Sequence, residues 1–251
     1  MKDVIGILDS GVGGISVLRK AVQLLPNENF IYYGDNKNAP YGPKPLEEIR
    51  RLSAQVIDRL LDQEIKALVI ACNTITSAYA SILRERVDLP VIGMEPAVKP
   101  ASSARSGGKV LALATRATLS LDKFSRLMDS YGEGVIPVEG VGLVELVEAG
   151  KANSPEALET LRALLAPYMS LQVDAIVLGC THYPFLRRHI ETLFPQARIF
   201  DGREGTVRQL QRRLAETGRL TRQTEPGTVR FETSGGEETL ARMRQLFEAE
   251  V

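Results

Sequence analysis

Ala67-Leu-Val-Ile-Ala-Cys72-Asn73-Thr74 is a short β-branched run that ends in a small residue, a cysteine and two polar side chains. Ala175-Ile-Val-Leu-Gly-Cys180-Thr181-His182 repeats the pattern, and the chain has no other cysteine. Two thiols at the ends of near-identical apolar strands point to a duplicated architecture with one acid/base group from each half. A reaction that needs a proton donor and a proton acceptor on opposite faces of one carbon requires such a pair.

On either side of the first cysteine strand, residues 4–8, 30–33 and 91–93 also read as strands, as do 68–71 themselves. Helices are predicted between them at 14–25, 45–64 and 76–86. In the second of these, Ile49, Leu52, Val56 and Leu60 share one face, and Pro45 stands near its start. This alternation predicts a parallel sheet covered by helices on both faces. The rhythm then restarts, with strands at 110–114, 135–138, 175–178 and 198–200 and helices at 119–131, 143–150, 155–171 and 185–193. The Pro-, Ala-, Ser- and Gly-rich stretch 96–109 reads as a crossover between halves, and a second crossover falls near 201–206. The remaining segment, with a strand at 229–231 and a helix from Glu237, is assigned to the first half.

The expected fold class is therefore α/β, with two similar domains, each a mainly parallel sheet flanked by helices. Residues 1–95 plus 207–251 form the first domain and 96–206 the second. Ligands bind outside the carboxyl ends of strands in open α/β sheets, so two facing domains put both cysteines on one interdomain cleft.

The 251 residues allow one large or two modest domains, and the hydrophobic share of 44% is that of an ordinary globular protein. With 31 basic and 31 acidic residues the formal charge is zero, so no nucleic-acid or membrane partner is expected. The basic residues around Arg203–Arg222 alternate with Glu204, Glu216 and polar residues, as on a solvated helix face. The start of the chain goes directly into a strand without a signal-peptide pattern, and no apolar run is long enough to span a bilayer. The expected location is the cytoplasm, where thiols stay reduced. Two cysteines and two histidines without tight spacing give no metal site.

Three segments besides the cysteine strands carry candidate chemistry. Asp9-Ser10-Gly11-Val12-Gly13-Gly14 joins a strand to a helix, either as a small-anion site or as a tight turn with Asp9 as helix cap. The turn-rich loop Asn36-Lys-Asn-Ala-Pro40-Tyr41-Gly42-Pro43 is of the kind that carries ligand contacts, although Tyr41 would also suit a surface position beside prolines. His182 follows Cys180 closely enough to polarise a thiol. Glu145 and Glu148 share one helix, and either could be solvated.

Asp9-Ser-Gly-Val-Gly-Gly14, Ala39-Pro-Tyr-Gly42, Ala71-Cys-Asn-Thr74 and Leu178-Gly-Cys-Thr-His-Tyr-Pro184 resemble, in order and separation, the signature blocks of the bacterial glutamate racemase family. The resemblance implies cofactor-independent interconversion of L- and D-glutamate, supplying D-glutamate for peptidoglycan. It implies that Cys72 deprotonates D-glutamate and Cys180 deprotonates L-glutamate, assisted by Asp9, His182 and Glu148. It assigns substrate contacts to Asp9, Ser10, Pro40, Tyr41, Gly42, Asn73, Thr74, Thr118, Thr181 and His182. The chain departs from the family where Cys-Pro and a later Pro commonly precede the assisting glutamate, carrying Gly140-Val141 and Glu145 there. The alternatives are a racemase of another small dicarboxylate such as aspartate, and a non-catalytic carboxylate-binding α/β protein. A homodimer is left open, because pairing differs among family members.

Overall fold

The computed structural model describes residues 3–249. Its strands are β1 (Val4–Asp9), β2 (Asn29–Gly34), β3 (Ala67–Ile70), β4 (Val91–Gly93), β5 (Lys109–Ala114), β6 (Val135–Glu139), β7 (Val173–Leu178), β8 (Arg198–Asp201) and β9 (Val229–Thr233). They form two sheets, ordered β4-β3-β1-β2-β9 and β6-β5-β7-β8. Every pairing is parallel. The central strands are apolar at nearly every position because helices cover both faces.

Alternate residues serve different layers, as the two-residue period of a strand dictates. From β1, Ile5 and Ile7 join the largest apolar cluster, which continues through Leu111, Leu113, Ile176 and Leu178 of the second sheet. Leu8, Leu68 and Ile70 face a second cluster on the outer side of the first sheet. Val110, Ala112, Ala175 and Val177 face a third, on the outer side of the second sheet. One continuous core thus runs between the two sheets and fixes how their ends face each other.

Several helices differ from the sequence pattern for local reasons. The helix after β3 spans Asn73–Arg86 and starts directly after Cys72, so Asn73 and Thr74 are buried in its first turn. Such polar residues favour caps and turns, which made this turn read as loop. The stretch read as a bare crossover contains the helix Val98–Ser103. Pro167 ends the helix Pro155–Leu165 early, since it has no N–H to continue the ladder. Leu121 is extended (φ −93°, ψ 146°) and splits one predicted helix into Arg116–Ser120 and Asp122–Tyr131.

The helix Arg203–Glu216 leaves the second sheet and packs on Ile15–Leu24 beside the first, burying Val207, Leu210 and Leu214. Its outer face carries the pairs Arg208–Glu204 and Arg212–Glu216, as expected of a solvated face. Beyond it, Arg219 donates to the Lys66 carbonyl and Thr221 N–H to Glu28, whose other oxygen meets Lys66 Nζ at 2.5 Å. These bonds guide the chain under the first sheet to β9, which pairs with β2. Among the described residues no helix is long and apolar enough to cross a membrane.

Candidate active site

The repeated cysteines occupy equivalent positions. β1 and β3 stand to Cys72 as β5 and β7 stand to Cys180. Ala71 N–H donates to Leu8 O at 2.8 Å, and Gly179 N–H donates to Leu113 O at 2.7 Å. Each cysteine follows one of these bonded residues, just past the carboxyl end of its strand. Both are free thiols, and both line one cleft between the sheets. The cleft is nearly closed, with about 10 Å³ of free space between Ser10, Tyr41, Asn73, Thr118, Thr181 and their neighbours.

The surroundings of the two sulfurs differ in charge. Ser10 Oγ lies 3.5 Å from Cys72 Sγ, and Asp9 is the nearby carboxylate. Burial and the Asp9 charge push the Cys72 thiol up to about 12, against the pull of Ser10 and the Ile75 N–H. Cys180 Sγ instead lies 3.6 Å from His182 Nδ1.

His182 is buried and held at both ring nitrogens. Its Nε2 lies 2.6 Å from Glu148 Oε1, while Nδ1 faces Cys180 and, at 3.3 Å, the Thr181 hydroxyl. That hydroxyl donates its proton to Asp9 Oδ1 at 3.1 Å and therefore can only accept from Nδ1. Both nitrogens thus face acceptors, the pattern of an imidazolium. Burial alone would drive its pKa down, but the bonds to Cys180 and Glu148 hold it well above the usual histidine value. Burial would likewise raise Glu148. Bonds from His182, Val12 N–H (2.7 Å) and Asn36 Nδ2 (3.0 Å) hold it below the ordinary glutamate range. Asp9 has less help: burial raises it to about 6, against His182 and the Gly11 N–H.

Close approach of the halves makes this cluster. A Cβ at Gly13 would collide with the His182 ring and the Thr181 hydroxyl. Asp9 does not cap the following helix, which has Gly14 at its N-cap and no side-chain cap bond. Its Oδ2 accepts from Gly11 N–H at 3.1 Å, closing the turn locally.

The opposite wall is hydroxylic. Thr74, Thr115 and Thr118 form a triangle with Oγ1 separations of 3.0 to 3.3 Å. Tyr41 is buried rather than superficial, donating to Asp35 Oδ2 at 2.6 Å, and Pro40 and Gly42 border the same cleft. Asn73 is 3% exposed, yet neither end of its amide has a partner.

Residues 5–210 match the Asp/Glu/hydantoin racemase family. The glutamate racemase of Clostridium perfringens is 53% identical over 216 residues, covering 84% of this chain and 83% of its own. The chain belongs to this family. A crystal structure of the glutamate racemase isoform RacE1 from Bacillus anthracis has a TM-score of 0.87 and 31% identity, covering 97% of this chain and 94% of its own. The Escherichia coli glutamate racemase, in complex with L-glutamate and the activator UDP-MurNAc-ala, has a TM-score of 0.86 and 28% identity, covering 98% and 96%. This racemase is an isomerase of amino acids, as its family and relatives are.

The cleft of this racemase family member is lined by Ser10, Pro40, Tyr41, Gly42, Cys72, Asn73, Thr74, Thr118, Cys180, Thr181 and His182, and Asp9 and Glu148 sit just behind it. Glu145 borders an outer pocket with Arg116 and Glu139 that adjoins the cleft along Pro40, Gly42, Thr115 and Val144. The sequence assigns no role of its own to Thr115 or to Asn36, which opens the turn-rich loop 36–43. Thr115 caps its helix by accepting from Thr118 N–H at 3.3 Å, a Thr-x-x-Thr signal that was present in the sequence. Asn36 is invisible without the sheet order that brings its loop to Glu148.

Proposed function

We propose that the chain interconverts L- and D-glutamate by two-base proton transfer, with no cofactor, and supplies D-glutamate for peptidoglycan in the cytoplasm. The observation that carries this reading is the pair of thiols on one cleft with opposite charges behind them. The His182 imidazolium stands beside Cys180, its Nδ1 3.6 Å from the sulfur. Burial and a carboxylate keep the proton on Cys72. The two thiols therefore face one cleft in opposite electrostatic surroundings, a cation beside one and a carboxylate beside the other.

In the L-to-D direction, Cys180 takes the α-proton as the C–H bond breaks. The electron pair is delocalised into the α-carboxylate, and Cys72 delivers its proton to the opposite face. Negative charge thereby moves from Cys180 to Cys72, and the return reaction reverses both transfers. Asp9, lifted to about 6, is a stronger base than a solvated carboxylate and suits the removal of a proton on the Cys72 side. His182 and Glu148 compensate the charge on the Cys180 side. N–H groups at the start of the helix Asn73–Arg86, with Ser10, Asn73, Thr74, Thr118 and Thr181, suit a dicarboxylate and the charge that develops on it. We read the cleft as lying between two domains, residues 1–95 with 207–251 and residues 96–206.

Incubation with L-glutamate in D2O tests this directly. Optical rotation decays to zero, and deuterium appears at Cα. Cys72→Ser and Cys180→Ser each lower racemisation by about 100-fold or more. Near-wild-type turnover by either variant would sink the two-base reading. Faster α-deuteration of aspartate would reassign the substrate, and saturable glutamate binding without α-exchange would make the protein a binding module.

A further inference from the structure

We propose that the carboxy-terminal segment positions Glu148 for its work on His182, with Thr233 setting the amide of Asn36 and Arg242 holding the Glu148 main chain. The proposal rests on the reading of Glu148, His182 and Cys180 as one acid/base arm.

Glu148 must reach out of the second sheet's half of the molecule, and each of its anchors is separate. Oε1 accepts from Val12 N–H and faces His182 Nε2, while Oε2 accepts from Asn36 Nδ2 at 3.0 Å. Asn36 can do this only with its NH2 turned inward. Thr233, the last residue of β9, enforces that turn by donating its hydroxyl proton to Asn36 Oδ1 at 2.9 Å. The Gly235 N–H donates back to the same hydroxyl at 2.9 Å, which leaves its proton free to point at Asn36. Without the hydroxyl, the amide could flip and set a carbonyl against the Glu148 carboxylate.

Arg242 acts from the next element. In the helix Glu237–Glu248, its guanidinium donates to the Glu148 carbonyl, where the helix Leu143–Glu148 ends. The carboxylate is thus fixed through Asn36 and its backbone through Arg242, both from a segment some hundred residues downstream. Neither Thr233 nor Arg242 lines the cleft. Both are positioning residues, and their effect falls first on the Cys180 side, where the direct contacts run. Cys72, beside Ser10, is reached only indirectly, through Asp9, which faces His182 and Glu148.

The test is the rate of alkylation of each cysteine by iodoacetamide at pH 8 in the ligand-free full chain, resolved by peptide mass spectrometry. Asn36→Ala and Thr233→Val lower the Cys180-to-Cys72 rate ratio about threefold or more, the size that partial loss of one charge-assisted hydrogen bond allows. Thr233→Ser keeps the hydroxyl and stays near wild type. Thermal melts accompany each variant, and the near-isosteric Thr233→Val carries the test if Asn36→Ala folds poorly. An unchanged ratio, equal slowing of both cysteines, or a Thr233→Ser that behaves as Thr233→Val would each overturn the proposal. Because alkylation needs no substrate, failure of wild-type protein to exchange the glutamate α-proton would overturn the functional reading alone.

Discussion

Asn73 is buried with both ends of its amide unpaired, a costly state for a side chain with no task. It follows Cys72 directly in the cleft wall, and on the proposed function a substrate carboxylate or ammonium supplies the missing partner. Asn73→Ala therefore raises KM for glutamate about tenfold, the worth of one hydrogen bond to a charged group. The melting temperature of the ligand-free variant does not fall, because no bond is lost in that state. A loss of stability without a change in KM would make Asn73 a structural residue. At this scale the two cysteines and His182 were legible because thiols are scarce and the two contexts repeat. Between Glu145 and Glu148 the residues alone did not decide, and only the family resemblance pointed to Glu148. They are three residues apart on one short helix, and only the packing of that helix turns Glu148 to His182 and leaves Glu145 at the outer pocket.

The element that delivers Glu148 is a six-residue helix, Leu143–Glu148, and its start depends on one backbone conformation. Gly142 precedes it at φ 78°, in the left-handed region that a Cβ disfavours. A Cβ there would touch only Thr160 Cγ2, at 3.9 Å, so the conformational cost stands free of any clash. Gly142→Ala should destabilise the fold by about 1 to 2 kcal/mol. It should also lower kcat as Glu148 shifts, with denaturant unfolding and steady-state kinetics as the two readouts. Unaltered kcat at reduced stability would uncouple helix placement from the acid/base arm. At this scale the strands were legible because buried parallel strands are continuous apolar runs. Helix boundaries were less so. The first turn of Asn73–Arg86 is built of residues that favour loops, and a stretch of Pro, Ala and Ser hid the helix Val98–Ser103.

Across the whole molecule, the cleft works only because two halves close on charged groups, and closure has a pH-dependent cost. Asp9 is fully buried where the Thr181 hydroxyl and the Gly11 N–H meet, with His182 and Glu148 as the charged groups facing it. Its pKa rises from 3.8 to about 6 on folding, a change worth roughly 3 kcal/mol. A carboxyl raised in the folded state contributes stability that is fully present below pH 4 and is lost as pH rises through about 6. Wild-type protein should therefore lose this increment between pH 4 and pH 7. Asn fits the same place: its carbonyl accepts from Gly11 N–H, and its NH2 donates to the Thr181 hydroxyl, which accepts as readily as it donates. Asp9→Asn should thus match wild type near pH 4 and exceed it by roughly 3 kcal/mol near pH 7, a net difference that already includes the attraction of the ionised carboxylate to His182. Urea unfolding of both proteins across that range checks the sign. A gap that is flat with pH, or that favours wild type as pH rises, would mean that Asp9 enters the fold already ionised and cannot act as the raised base beside Cys72. Lower racemisation alongside higher stability would place the cost of burying this carboxyl where the chemistry uses it.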